Sequence, residues 1–283
     1  MQSLVSMEVK KAFRGKAFFI ALAIGCVLAL GTTALNCFIT FPASVDAAGS
    51  YQTKWFDQSL LSCFRYWVVT DYNHPTTYLF FMLLPLLAML PYSWSLARER
   101  VTGYCIHVLS RAERKDYLVA KGAACFLSGA AATTIPVAVS LVIVACVAPA
   151  RVPDVTAMIY FGVFEPCLWS EAFYQVPVLY CFLYLLLIFS FSGLWALAVS
   201  SIGAFIGSRI VILVGPYLFL LGVKFFCEDV LLGIVRTELT PFGFLRPSGN
   251  LYTPNGWVIL GVLAACLALA VIVLRIARRR DVL

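Results

Sequence analysis

Runs of about 20 apolar residues recur along the chain, and a run of that length crosses roughly 30 Å of hydrocarbon as a helix. They lie at about 17–39, 77–97, 122–148, 176–200, 208–223 and 256–274. Backbone polar groups in hydrocarbon must pair internally, so spanning segments are helices or closed barrels. Barrel strands alternate in polarity, whereas these runs are apolar on every side, which predicts helices. Charged residues are only 12% of the chain, and a soluble domain keeps about 25% to cover its surface. The expected fold is therefore an all-α membrane protein with six transmembrane helices, a single transmembrane domain over residues 1–283. The apolar run from Val176, continued beyond Arg209, is too long for one crossing; Ser200, Ser201, Gly203, Gly207 and Arg209 divide it in two. The first run exceeds a signal core and lacks a clear small-x-small cleavage site, so it reads as a retained span.

A net charge of +7 could suggest nucleic acid, but its distribution points elsewhere. With a cytoplasmic N-terminus, 15 of the 21 Lys/Arg and five of the 14 Asp/Glu fall inside, giving +10 inside and −3 outside. This is the positive-inside rule. It places both termini in the cytoplasm of a plasma (inner) membrane, with lipid as the partner that composition requires and no nucleic acid. Residues Ser3–Arg14 form an amphipathic pattern, with Val5, Val9, Ala12 and Phe13 on one face. Lys10, Lys11 and Arg14 fall opposite, and Glu8 near the edge. Such a helix suits the inner interface; a plain positive flank for the first span is the alternative.

Three outer segments follow from this topology. Thr40–Thr76, with Tyr51, Trp55, Trp67 and Tyr72, is long enough to hold structure. Pro149–Gln175 is expected to be mostly irregular, and Val230–Val235 within Lys224–Asn255 reads as an outer or re-entrant helix. On the cytoplasmic side, Arg98–Lys121 reads as a short helix between two spans or as a solvated connector. Pro85 and Pro91 each remove a backbone donor and can kink the second span. Gly103 can break the helix that leaves it.

Catalytic motifs are missing from the sequence. It has no G-x-x-x-x-G-K-[ST], no H-E-x-x-H and no G-x-S-x-G. His74 and His107 fall on opposite faces, and the ten cysteines form no C-x-x-C. Cys26, Cys125, Cys181 and Cys266 read as small apolar residues within spans. A pair among Cys37, Cys63, Cys167 and Cys227 at the outer edge could oxidise. No acid or base is expected deep in a span, which weakens proton-coupled transport. Hence no catalytic, cofactor or metal site is predicted.

The stretch Pro85–Lys121 resembles the permease subunits of ABC-2 type ATP-binding cassette transporters. In that family the second span tends to end in an acidic–basic pair and a glycine. A cytoplasmic coupling helix follows, and a basic stretch leads through a lysine into the third span. Glu99, Arg100, Gly103, Arg111 and Lys121 stand at the matching places. Tyr104 and Ser110 stand where the family often has a small hydroxyl residue and a proline. The resemblance implies a membrane subunit of an exporter, paired with a second permease chain as a homo- or heterodimer. Separate cytoplasmic ABC ATPase subunits would supply the energy, so the chain itself would have no enzyme activity and no cofactor. Glu99, Arg100, Gly103, Tyr104 and Arg111 would form or flank the ATPase-coupling element. Two other classes stay open: an intramembrane lipid- or peptide-processing enzyme, and a non-transporting anchor or sensor. The first would need in-span hydroxyls such as Ser128, Thr133, Thr134, Ser190 and Ser192 to cluster.

Overall fold

The computed structural model describes residues 2–50, 61–72, 74–110, 113–164, 167–230, 237–247 and 253–279. Long apolar runs with few breakers give long helices, and the breaks fall at proline and glycine. Helix α1 (Gln2–Arg14) ends at Gly15, whose extended backbone starts α2 (Lys16–Leu35). A single π turn, Asn36–Thr40, carries α2 into α3 (Phe41–Ser50). After the short α4 (Cys63–Tyr66) comes α5 (Pro75–Met89), with Pro75 at its first turn, where no N–H is needed. Two short helices follow, α6 (Ser95–Val101) and α7 (Tyr104–Leu109), and then the long α8 (Arg114–Val147). Next are α9 (Met158–Phe161), α10 (Ser170–Gln175), α11 (Pro177–Ile202) and α12 (Arg209–Asp229). The chain closes with α13 (Pro241–Phe244) and α14 (Gly256–Arg279). Two-residue strands β1 (Thr237–Glu238) and β2 (Thr253–Pro254) pair in parallel, Thr237 opposite Thr253.

Among the described residues five helices are long and apolar enough to cross a membrane: the rod from Lys16 to Asp46, α8, α11, α12 and α14. The second predicted span differs from expectation. It is the 15-residue α5, which stops at Met89 rather than running on to Ala97. Pro91 lacks the N–H that would continue the helical ladder, and Leu90–Trp94 form turns before α6 resumes. The Leu90 carbonyl instead accepts from the Trp94 indole at 3.1 Å. Pro85, by contrast, is accommodated inside α5. The break between the fourth and fifth runs falls at Gly203–Ser208, while Ser200 and Ser201 are buried in α11.

Helix α8 is the hub, packed by α1, α2, α5 and α11. Lipid gives apolar helices no hydrophobic reason to associate, so close approach through small residues matters. A Cβ at Gly129 would lie 2.6 Å from the Ala88 carbonyl oxygen of α5 and 2.6 Å from the Ala196 Cβ of α11. Buried hydroxyls add lateral links, as between Thr33 and Ser140 at 2.8 Å. Trp67, expected at an interface or packed surface, is fully buried, and its indole donates to the Val137 carbonyl of α8 at 3.0 Å. The segment Pro149–Gln175, expected to lie outside and to be mostly irregular, holds a 3-10 turn (Val155–Ala157), α9 and α10. Lys224, assigned to an outer loop, lies buried in α12, where it donates to Tyr78 Oη at 3.1 Å and pairs with Glu228 at 3.3 Å. Val230 ends α12 in a turn; residues 231–236, with most of the Val230–Val235 patch, and Tyr51 and Trp55 lie outside the described residues.

One end of the bundle gathers elements distant in sequence. Leu4, Leu96, Cys105, Tyr117, Ala204 and Ala277 belong to one apolar cluster. It joins α1, α6, α7, the start of α8, the turn after α11 and the end of α14.

Candidate functional site

At this same end the structure brings four charged side chains together, Glu8, Glu99 and Lys121 buried and Lys11 partly exposed. Glu8 of α1 is 0% exposed and Lys121 of α8 is 1% exposed. Glu8 reaches the interior because of helical spacing: it is three residues after Val5 and four before Ala12, so it lies on the apolar stripe itself. Lys121 reaches the interior because α8 begins at Arg114, two turns before it. At 1.5 Å per residue α8 is about 51 Å long, well beyond a bilayer core. Its first turns therefore extend beside α1 and α6.

Lys121 Nζ pairs with Glu8 Oε2 at 2.7 Å and with Glu99 Oε1 at 2.7 Å. It also donates to Tyr92 Oη at 2.9 Å. Tyr92 donates to Glu8 Oε2 at 2.6 Å, and Tyr117 donates to Glu99 Oε2 at 2.6 Å. Lys11 completes the set by donating to Glu99 Oε1 and by lying 4.0 Å from Glu8 Oε1. Two carboxylates and two ammonium groups thus balance, with two phenols filling further acceptor sites. Cys105 Sγ lies 3.4 Å from Tyr117 Oη, which ties α7 to the same point.

The electrostatics follow from these contacts. Burial alone would raise the Glu99 carboxyl; the charge of Lys121 and hydrogen bonds from Lys11, Lys121 and Tyr117 outweigh it and hold the group below its ordinary value. Burial alone would lower Lys11, but its hydrogen bond to Glu99 and the charges of Glu99 and Glu8 raise it. Both groups are therefore fixed in their charged forms near neutral pH. Chemically this is a fastening. One lysine joins an acid from α1 to an acid from α6, and removing one partner of such a buried set costs about 3–5 kcal/mol.

The residues expected from sequence divide accordingly. Glu99 is buried in the network, paired with Lys121. Arg100 is half-buried and donates to the Ala204 carbonyl just beyond α11. Gly103 has φ 73° and ψ 2°, a left-handed conformation that glycine adopts without a Cβ penalty, and it starts α7. Tyr104 is exposed on α7, with Lys11 Nζ 4.7 Å from its ring centroid. Lys11 thereby brings Glu99 and Tyr104 together. Arg111 lies outside the described residues. Glu8, Lys11, Tyr92 and Tyr117 are additions from the structure; the 5-8-9-12 spacing was the signal for Glu8.

Ser128 and Thr133 bond to carbonyls of their own helix. Among the described residues no three His, Cys, Asp or Glu side chains are placed to hold a metal. A cavity of about 510 Å³ between α11 and α14 is walled by groups such as Leu183, Leu187, Trp257 and Leu260. Comparison with known proteins finds no matching family model, no matching curated protein and no matching solved structure.

Proposed function

We propose that this chain is the membrane-spanning permease subunit of an ATP-driven exporter of the ABC-2 type. In this reading it has six crossings, with both termini and the α6–α7 segment in the cytoplasm of the plasma membrane. Separate ATPase subunits supply the energy, and a second permease chain completes the route. The clustering of helix ends supports the topology. The start of α1, α6, the start of α8 and the end of α14 share one end of the bundle, which is what alternating crossings require if α5 counts as one. Positive charge collects on those same segments.

The observation that carries the function is the form of α6–α7. A short helix hangs on left-handed Gly103, pinned inward by buried Cys105. Outward the α6–α7 segment presents Val101 and Ile106, each 68% exposed, and Tyr104. These apolar side chains lie on the connector next to Arg98, Arg100 and His107, where a lipid-facing role is not expected. Exposed apolar groups in such a place suit contact with a protein partner. The pattern falls within the stretch that resembles the family's coupling element.

The test is co-purification of the full chain with a cytoplasmic ATPase from its native membranes, followed by ATP hydrolysis. Tyr104→Ala with Ile106→Ser should leave expression and thermal stability unchanged while reducing ATPase capture about tenfold or more. Unchanged capture by that variant, or no ATPase in the wild-type complex, would overturn the reading.

A further inference from the structure

A recess of about 340 Å³ opens beside the buried network, between α1 and α6, with Lys11, Trp94, Ser95, Arg98, Glu99 and Thr102 in its wall. Two guanidinium groups, one of them in this wall, lie against the Trp94 indole. Arg98 lies 5.7 Å from the Trp94 ring centroid, and Arg209, at the start of α12, lies 4.9 Å from the same ring. A cation is attracted to an indole face, but two cations on one ring repel each other. Among the described residues neither arginine has an acidic partner. The Ser95 hydroxyl is buried in the recess wall and has no hydrogen-bond partner. Glu99 also faces the recess, but Lys121 and Lys11 already neutralise it. The recess therefore carries surplus positive charge and a buried hydroxyl, with the Arg98 guanidinium in its wall and that of Arg209 beside the same indole.

We propose that this recess binds the phosphate headgroup of an anionic phospholipid, taken from the leaflet at this end of the bundle. Arginine forks match phosphate oxygens in pairs, and Ser95 offers the missing donor. The lipid is favoured because the site lies at a membrane boundary. Trp94 follows the apolar run of α5, and Arg209 opens the apolar α12, whose next residues Ile210 and Val211 are exposed. Basic pockets between spans on the cytoplasmic side are where acidic headgroups bind. The inference requires only that the bundle spans a membrane; it stands whether or not the chain serves an exporter.

The experiment is native mass spectrometry of the detergent-purified full chain with added phosphatidylglycerol, phosphatidylcholine or inorganic phosphate. Phosphatidylglycerol should be retained in preference to phosphatidylcholine. Trp94→Leu keeps every charge but removes the ring that gathers them, and should lower retention about tenfold. Arg209→Gln changes an exposed side chain that folding does not need and should lower retention several-fold, while Arg14→Gln with Arg275→Gln should not. An equal loss from the Arg14 and Arg275 changes would mean general surface attraction and overturn the site. Retention without headgroup preference, or displacement of the lipid by inorganic phosphate, would overturn it as well.

Discussion

Replacing Lys121 by methionine tests the buried network most directly. The methionine stem occupies similar space, so the change removes a charge with little loss of packing. Two carboxylates, Glu8 and Glu99, then share Lys11, whose side chain is 43% exposed. Lys11 already bonds Glu99 and stands 4.0 Å from Glu8, so Glu8, at 0% exposure, keeps only that longer, shared contact. An uncompensated buried charge of this kind costs about 3–5 kcal/mol, a large share of the roughly 5–15 kcal/mol that holds a domain folded. With each kcal/mol worth about 2–4 °C, the midpoint should fall by on the order of 10 °C. Combining Lys121→Met with Glu8→Gln removes one charge of each sign and leaves Glu99 with Lys11 and Tyr117. Most of the lost stability should return. The assay is thermal unfolding in detergent, followed by fluorescence-detected size exclusion. A Lys121→Met midpoint equal to wild type, or a double variant no better than the single, would refute the account of the network as a balanced set.

Other expectations follow from single contacts. Glu99 has a lowered folded pKa, so its stabilisation is complete above the ordinary carboxyl value near 4.3 and is lost as pH falls through the lower folded value; Glu99→Gln should flatten this acid limb of a midpoint-against-pH curve while lowering the neutral-pH midpoint. Gly103→Ala meets no neighbouring atom but must hold φ 73°, so it should cost about 1 kcal/mol by thermal unfolding, and Gly103→Asn less. Gly129→Ala would press a methyl against Ala88 and Ala196 and should cost about 1–3 kcal/mol; an unchanged midpoint would contradict the close three-helix contact. A cysteine placed at Ser110 should react with membrane-impermeant reagent only in opened cells, and labelling from outside intact cells would reverse the proposed topology.

The apolar runs were legible because hydrocarbon imposes one length and one polarity on whatever crosses it. Gly103 was legible as a break because it acts through its own backbone, whereas Pro91 read only as a kink within a span running to Ala97. Pro85 and Pro91 nevertheless part ways, one held within α5 and the other ending the helix, and nothing in their spacing separates them. The network was not legible as a unit. Its members come from positions 8, 11, 92, 99, 117 and 121, on four segments whose approach depends on helix packing. Lys11, Arg98 and Lys121 look alike in sequence, as positive flank residues. Only the packing of α1 against α8 distinguishes the buried Lys121 from the exposed Arg98.

This distinction bears on how movement would pass through the α6–α7 segment if the chain couples to an ATPase. Lys121 and Tyr117 hold α6 to α8, Lys121 and Tyr92 hold α1 in the same set, and Arg100 holds α6 to the turn after α11. Moving a two-state assembly from 1:99 to 99:1 takes about 5.5 kcal/mol of differential binding. Breaking the network would cost about 3–5 kcal/mol of that. A transition that kept the network whole would cost far less, so α1, α6 and the start of α8 should move as one block. The bending then falls where helical hydrogen bonding is already interrupted, at Leu90–Trp94 and at Gly203–Ser208. Trp94 and Arg209 lie at the edges of these two breaks and touch each other. A headgroup bound between Arg98 and Arg209 would bridge both hinges, and its affinity should differ between the two states of the assembly.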